Sequence, residues 1–486
     1  MIAFKDLQQR LGPALDLNKP GARGDHVLIA MPSFSLGETT LSHYAARIPA
    51  LEHRYLNALY LLNRIECCEF VFLSTLAPER EILDYCFSLL PAERSGNVRS
   101  RFRSIAVPDD RPRPLAEKLL GRPDILDAIK ASFAGRPAFI EPWNVTEHEV
   151  DVARHLHAPI NGTSPELWPI GFKSAGRRIF REAKVPLPLG RESVRSVDDV
   201  LGSIAAIRSE RPTAKGVVIK HDNSGSGDGN TVIRFGEETT ASEIRARVEA
   251  LPDWYLRDLQ EGGIVEELIA GKNFSSPSAQ LDIMPGGKVV VLATHEQVLG
   301  GPDGQVYMGC RFPADPAYAA DLARYAAAIG ASLAMQGAMG RFSVDFAAAQ
   351  DAGGRWKVYA LEINLRKGGT THPYGALRNL VPGRYDASAG QWLAADGTPR
   401  AYCATDNFVD SAWCGVPPAA VVKRVANAGL QFDYQAGTGV VLHMLSCLAI
   451  DGRFGLTAIG RTPQHAMELQ DATKRAMDGL TLDHPA

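Results

Sequence analysis

Two apolar runs in the second half of the chain carry acids where a half-buried strand would ordinarily have none. The first is Gly340-Arg-Phe-Ser-Val-Asp345-Phe. The second is Val358-Tyr-Ala-Leu-Glu362-Ile-Asn364, which continues as Leu-Arg366-Lys-Gly-Gly-Thr370-Thr-His372-Pro. Val344, Phe346, Leu361 and Ile363 make both runs half-buried strands. Glu362 and Asn364 are two apart and so share one face of their strand, with Asp345 free to pair beside them. Charged groups among apolar neighbours are costly unless they meet a metal or a partner. Two carboxylates and an amide oxygen form a hard-oxygen set suited to Mg²⁺, which takes few protein ligands and shares phosphate oxygens; Mn²⁺ fits the same set. A surface strand with alternating polar residues is the plain alternative, and the flanking apolar residues weigh against it. Downstream, Arg366 and Lys367 lead into a Gly-Gly-Thr-Thr turn, an arrangement that clamps a carboxylate or a moving phosphoryl group. His372, before Pro373, reads equally well as structural or functional.

Two further stretches precede this pair. Val217-Val-Ile-Lys220-His-Asp-Asn-Ser224-Gly225-Ser-Gly227-Asp-Gly229-Asn is a strand that delivers a lysine into a glycine-rich loop. Such a loop lets backbone N–H groups approach an anion, and Lys220 would add charge at an inner phosphate. No Gly-Lys-Ser/Thr follows, so it is not a Walker A loop, and a glycine-rich hairpin tip is the alternative. The other stretch is Gly263-Ile-Val-Glu266-Glu267-Leu268-Ile269-Ala-Gly-Lys-Asn273. It is either an edge strand with solvated acids or a hinge that offers an apolar wall and polar groups to a nucleoside.

The 486 residues suggest about three domains. With 45% hydrophobic and 22% charged residues, large cores are affordable to the chain and wholesale disorder is excluded. A net charge of −3 argues against broad binding of nucleic acid or anionic membranes. The first ten residues contain no apolar segment of the secretory kind, and no run reaches the roughly 20 residues of a membrane span. The seven cysteines show no metal-binding spacing and read as reduced thiols, which points to the cytoplasm.

Residues 1–160 alternate strand and helix patterns and predict a parallel α/β domain, with strands near 25–33, 70–74, 104–107 and 138–140 and helices near 53–65, 79–90, 114–133 and 147–157. No glycine fingerprint follows its first strand, so no dinucleotide is assigned to it. Residues 161–382 open with a helix predicted over 164–183 and then become an α+β pattern with antiparallel hairpins. Residues 383–486 predict a smaller C-terminal α/β unit, with a loop over 391–400, helices over 417–428 and 463–477, and one or two strands over 437–449.

Taken in order, these motifs resemble the ATP-grasp superfamily: a lysine before a glycine-rich loop, a Glu-Glu hinge strand, then Asp and Glu-x-Asn. The superfamily's earlier nucleotide-contacting lysine has its counterpart at Lys173, in Gly171-Phe-Lys-Ser-Ala-Gly-Arg-Arg178. Residues 113–120, 171–180, 362–373 and 437–443 are similar to the pheganomycin-type peptide ligases, in which a pre-ATP-grasp domain precedes the core and a short C-terminal domain follows. The resemblance implies an ATP-dependent carboxylate–amine ligase that works through an acyl phosphate on an amino acid or peptide, in natural-product biosynthesis. It implies ATP held by Lys173, Lys220 and the Ser224–Gly229 loop, with Glu266, Glu267, Leu268, Ile269 and Asn273 around adenine and ribose. It implies Mg²⁺ on Asp345, Glu362 and Asn364, and Arg366 at the reacting groups. Two positions depart from the pattern. Asn273 stands where many members have a ribose-binding glutamate, and Ser343 where many have an arginine, which makes Arg311 the candidate to supply that charge. A phosphotransferase that releases its phosphorylated product, and a non-catalytic ATP-binding protein, are the competing readings. Partners are then small molecules, with a homodimer the common assembly of such enzymes.

Overall fold

The computed structural model describes residues 3–133, 135–224, 229–236, 238–301, 304 and 306–482. Strands β1 (His26–Met31), β2 (Cys68–Ser74), β3 (Phe102–Ala106) and β4 (Ala138–Pro142) form a parallel sheet in the order β3-β2-β1-β4. β1 is buried along its whole length, as a strand covered on both faces must be, and this is why it is a continuous apolar run rather than an alternating one. The predicted helix over 53–65 is instead a 3-10 helix, His53–Asn63. Two helices fill 114–133, Leu115–Leu120 and Pro123–Ser132, and Ala92–Ser100 adds a helix that apolar spacing does not announce.

β5 (Gly190–Val194), β6 (Gly216–His221), β7 (Asn230–Arg234) and β8 (Gly263–Glu267) form a small antiparallel sheet in the order β5-β8-β6-β7. Val217, Ile219 and Val265 face its own core with Val200, Ile204, Ile207 and Leu259. By alternation, Lys220 and Glu266 are on the opposite face. The helix predicted over 164–183 divides into a 3-10 turn, Pro165–Gly171, and an α-helix, Lys173–Glu182, so Lys173 opens the helix rather than riding on it.

The third sheet has eleven strands: β9 (Phe274–Ser275), β10 (Pro277–Ile283), β11 (Val289–Gly300), β12 (Val306–Phe312), β13 (Gly340–Gln350), β14 (Trp356–Asn364), β15 (Gly383–Asp386), β16 (Gln391–Ala394), β17 (Pro399–Val409), β18 (Gly439–His443) and β19 (Arg453–Gly460). β12 pairs with β17, so the sheet runs straight through the expected boundary at 382/383. Residues 391–400 are therefore a hairpin and not a loop, with Trp392 opposite Arg400. The Gly-Gly-Thr-Thr turn after Asn364 leads directly into a helix, Thr371–Leu380. One core cluster joins Leu62, Tyr85 and Phe87 of the N-terminal domain to Tyr402, Val441 and Phe454, so the C-terminal strands pack against the N-terminal domain as well as the large sheet. Among the described residues, no helix is long and apolar enough to cross a membrane.

Candidate active site

The cleft floor is the β13–β14 pair. Asp345 lies directly opposite Glu362, and Ser343 opposite Asn364. A bulge follows this register, so that Phe346 meets Ala360. Bulges of this kind re-aim side chains beside functional sites. Here it brings Leu361 to the cleft together with Glu362 and Asn364. Asp345 Oδ2 accepts from Asn364 Nδ2 at 3.0 Å, and Oδ1 from Gln297 Nε2 at 2.8 Å. Burial, and next the facing Glu362, push the Asp345 carboxyl up to about 7. Two carboxylates thus face each other with one amide whose nitrogen is engaged and whose oxygen remains to bind. These are hard-oxygen donors in a cleft, and they fit a Mg²⁺ or Mn²⁺ ion.

Lys173 and Lys220 reach this floor from two directions. Lys173 Nζ donates to Ser224 O at 2.7 Å and Oγ at 3.1 Å, and lies 3.2 Å from Glu362 Oε1. The Lys173–Glu182 helix has no side-chain cap of its own, but the chain after β6 supplies one. Asp222 Oδ1 accepts from Ser174 N at 2.7 Å and Asp222 O from Lys173 N at 3.2 Å. The loop that follows Lys220 therefore anchors the helix that begins with Lys173, and the two lysines are positioned by one segment. Lys220, itself buried, is ion-paired with Glu266, which also takes Arg177 Nη1 at 2.9 Å. Gly229 turns the chain back into β7 with φ +77°. A Cβ there would come within 2.7 Å of His221 Nδ1. Gly225 and Gly227 lie outside the described residues.

The expected adenine and ribose set is only partly gathered. Glu266 is a buried counter-ion beneath Lys220, and Glu267 pairs with Arg211 Nη1 at 2.7 Å. The Leu268 N–H is taken by Gly216 O at 2.9 Å, and Ile269 follows it as a half-buried residue. Asn273 is not brought to the cleft. It is exposed, and its Nδ2 donates to Gln350 Oε1 at 2.7 Å at the sheet edge. Arg311 is not brought there either. A bulge in β11–β12 and strand alternation put it on the other side, exposed and opposite Cys403, whose thiol meets Gln470.

Arg366 does line the cleft, with its guanidinium 4.8 Å from the Trp143 ring centroid. Burial lowers its pKa, opposed by the facing Glu362 and Asp345, which raise it. Gln297, Ser278 and Tyr307 complete the cleft wall. None of the three sits in a motif, and Gln297 is recognisable only as a polar residue inside an apolar strand. Gly369 lies against the Tyr307 ring so closely that any Cβ would collide with it.

A second cavity adjoins through Gly368, between the N-terminal domain and the large sheet. Tyr55, Trp143, Leu28 and Leu61 give it apolar walls. Its charged lining is largely paired: Lys367 with Glu141 at 2.5 Å, Arg341 with Asp282 at 2.5 Å and Arg54 with Asp406 at 2.7 Å.

Comparison with known proteins agrees with this layout. Residues 245–372 match the family described as IQCH-like, ATP-grasp, and residues 420–473 match the PGM1 C-terminal domain. The L-propargylglycine–L-glutamate ligase of Streptantibioticus cattleyicolor is 31% identical over 392 residues, 79% of each chain. IQ motif-containing protein H of Danio rerio is 24% identical over 294 residues, 52% of this chain and 28% of that one. Among solved structures, biotin carboxylase from Campylobacter jejuni superposes with a TM-score of 0.55 at 14% identity, over 95% of this chain and 98% of that one. The ADP complex of N5-carboxyaminoimidazole ribonucleotide synthetase gives 0.51 at 14%, over 94% and 97%. The two superpositions concern the fold alone.

Proposed function

The chain belongs to the ATP-grasp superfamily, in the family of the L-propargylglycine–L-glutamate ligase, and as such is an ATP-dependent carboxylate–amine ligase, for which we propose an acyl-phosphate mechanism on amino acid or peptide substrates. The observation that carries this reading is the cross-strand Asp345–Glu362 pair with Asn364, faced by Lys173, Lys220 and Arg366 in one cleft. No side-chain nucleophile is required, because ATP itself supplies the activation.

In this reading Lys173 and Lys220 hold the inner phosphates of ATP, each as a point charge already oriented by a partner, Ser224 or Glu266. Asp345, Glu362 and Asn364 hold Mg²⁺, which when bound offsets charge on the phosphate oxygens. Arg366, kept in place by its stack on Trp143, is directed at the substrate carboxylate as it takes up the γ-phosphoryl group. The amine approaches through the adjoining cavity, whose apolar walls keep water from the acyl phosphate. Its attack forms the amide and releases phosphate. Glu266 serves here as the group that fixes Lys220, while Glu267, Leu268 and Ile269 remain beside the nucleoside. The comparison with the L-propargylglycine–L-glutamate ligase supports free amino acids as the substrate class and natural-product assembly as the setting.

The test is turnover of ATP by the purified chain with Mg²⁺, against pools of L-amino acids and dipeptides, with products read by mass spectrometry. ADP with a condensed product that has lost water is the expected result. AMP and pyrophosphate would overturn the acyl phosphate, and a stable phosphorylated product without an amide would establish the phosphotransferase instead. Lys220→Met should weaken ATP binding by about tenfold, since one charged contact to phosphate is lost. Unchanged affinity would remove Lys220 from the phosphate site.

A further inference from the structure

At the rim of the adjoining cavity, His372, Asp406 and His443 converge from three elements, the Thr371–Leu380 helix, β17 and β18. His443 Nε2 lies 2.7 Å from Asp406 Oδ1, His372 Nε2 lies 3.0 Å from the same oxygen, and the two Nε2 atoms are 3.1 Å apart. We propose that this triangle is a binding site for a divalent transition-metal ion of the zinc type, separate from the cation site of the ATP cleft.

The argument is geometric. Three ligands held about 2.1 Å from one ion stand about 3.4 Å apart in the tetrahedral shell zinc usually takes, and about 3.0 Å apart on one face of a six-coordinate shell. The three distances here match that face of a coordination shell. A purely hydrogen-bonded cluster accounts for them less well. If both imidazole N–H groups donated to that one oxygen, they would reach it about 65° apart, closer together than its diverging lone pairs favour.

The surroundings are those of a prepared site. Asp406 Oδ2, the oxygen not shared by the histidines, accepts from Arg54 Nη1 at 2.7 Å, the kind of outer contact that orients a ligating carboxylate. The polar contacts of the His443 ring are both at Nε2, toward Asp406 and His372. Gly455 pairs directly with His443 across β18–β19, and any Cβ at 455 would overlap the His443 ring at Nε2. The strand pair thus leaves room for an imidazole to reach the cluster. Two imidazoles and one carboxylate suit a borderline ion such as Zn²⁺ or Co²⁺, whereas Mg²⁺ prefers an all-oxygen set. Three protein ligands leave the shell incomplete. His372 and Arg54 also line the cavity, so water or a substrate carboxylate entering there would complete it. A carboxylate would also offset the charge that the ion adds beside Arg54.

The test uses the full chain carrying Glu362→Gln, which weakens the oxygen site, stripped with a chelator and titrated with Co²⁺ in excess Mg²⁺. The expected result is one Co²⁺ per chain with visible d–d absorption, and affinity lower by about 100-fold or more in His372→Gln and in His443→Gln. Gly455→Ala, which displaces His443 without removing a ligand, should weaken binding in the same direction. Failure to retain Co²⁺ against Mg²⁺ would overturn the site, as would equal retention by both histidine variants. Should the variants not fold, NMR of the Co²⁺-loaded parent chain decides. Contact-shifted, exchangeable imidazole N–H signals from two histidines support the site, and their absence overturns it.

Discussion

Asp345 is the residue whose chemistry depends most on its neighbours. Its folded pKa, about 7, is raised above the ordinary 3.8 by burial and by Glu362. The unfolded chain therefore releases this proton first, and without a cation the native state loses stability as pH rises through that interval. Glu52 is shifted in the same direction, to about 7, so the informative quantity is the difference between the parent and Asp345→Asn. Between about pH 4 and 7 the melting temperature should fall less, or rise more, with pH in the variant than in the parent. An equal slope would show that Asp345 ionises normally. A cation must displace the same proton, so Mg²⁺–nucleotide binding should tighten as pH approaches 7 and level off above it. Glu362→Ala should lower turnover by at least about 100-fold with an unchanged circular dichroism spectrum, because it removes a proposed metal ligand from an open site. Near-normal activity in a folded variant would take Glu362 out of the mechanism.

Elements meet at Gly340, the first residue of β13. Its φ of +85° is one that residues with a Cβ rarely adopt. A Cβ there would come within 2.7 Å of Gly162 Cα and 2.9 Å of Asn161 O. The neighbouring Met339 N–H donates to Thr163 Oγ1 at 3.1 Å, and Thr163 Oγ1 donates to Met339 O at 2.7 Å. The start of the strand that carries Asp345 is thus pressed against the segment that leaves the N-terminal domain. Gly340→Ala should cost about 1–3 kcal/mol and lower the melting temperature by several degrees. Retention of the parent melting temperature would show that backbone shifts relieve the contact. The Lys173–Glu182 helix teaches a related lesson. Pro169 and Gly171 break the predicted 164–183 helix, and the α-helix that restarts at Lys173 takes its cap from Asp222, a remote partner that local propensity does not report.

For the molecule as a whole, the C-terminal strands belong to the sheet that carries the site. Tyr402 of β17 is fully buried and lies 2.5 Å from His295 Nε2. Leu442 N donates to Tyr85 Oη at 2.7 Å, and Asn63 Nδ2 to Tyr434 Oη at 2.7 Å, each tying the C-terminal part to the N-terminal domain. A chain ending at residue 382 would expose the β12 edge and leave the shared core half covered. It should express as aggregate or lack a cooperative melting transition. A soluble truncated chain with a sharp transition would establish the ATP-grasp core as self-sufficient.

Much of the candidate site was legible in the sequence because its parts are local. Lys220 ends an apolar strand, Glu362 and Asn364 share a face by strand period, and Asp345 interrupts a run of core residues. Strand periodicity and the cost of burying a charge are enough to single these out. The order of the motifs then identified the superfamily. Distance along the chain hid the rest. Gln297 binds Asp345, Asp222 caps the Lys173 helix, and Arg54 and Asp406 join His372 and His443, each across contacts that no periodicity encodes. Arg311 and Asn273 went the other way, matched by spacing yet turned from the cleft by a bulge and by a sheet edge. Local pattern determines which residues can form a strand or a helix and which charges need a partner. Which partner each of them finds is decided by sheet register and packing, which depend on the whole chain at once.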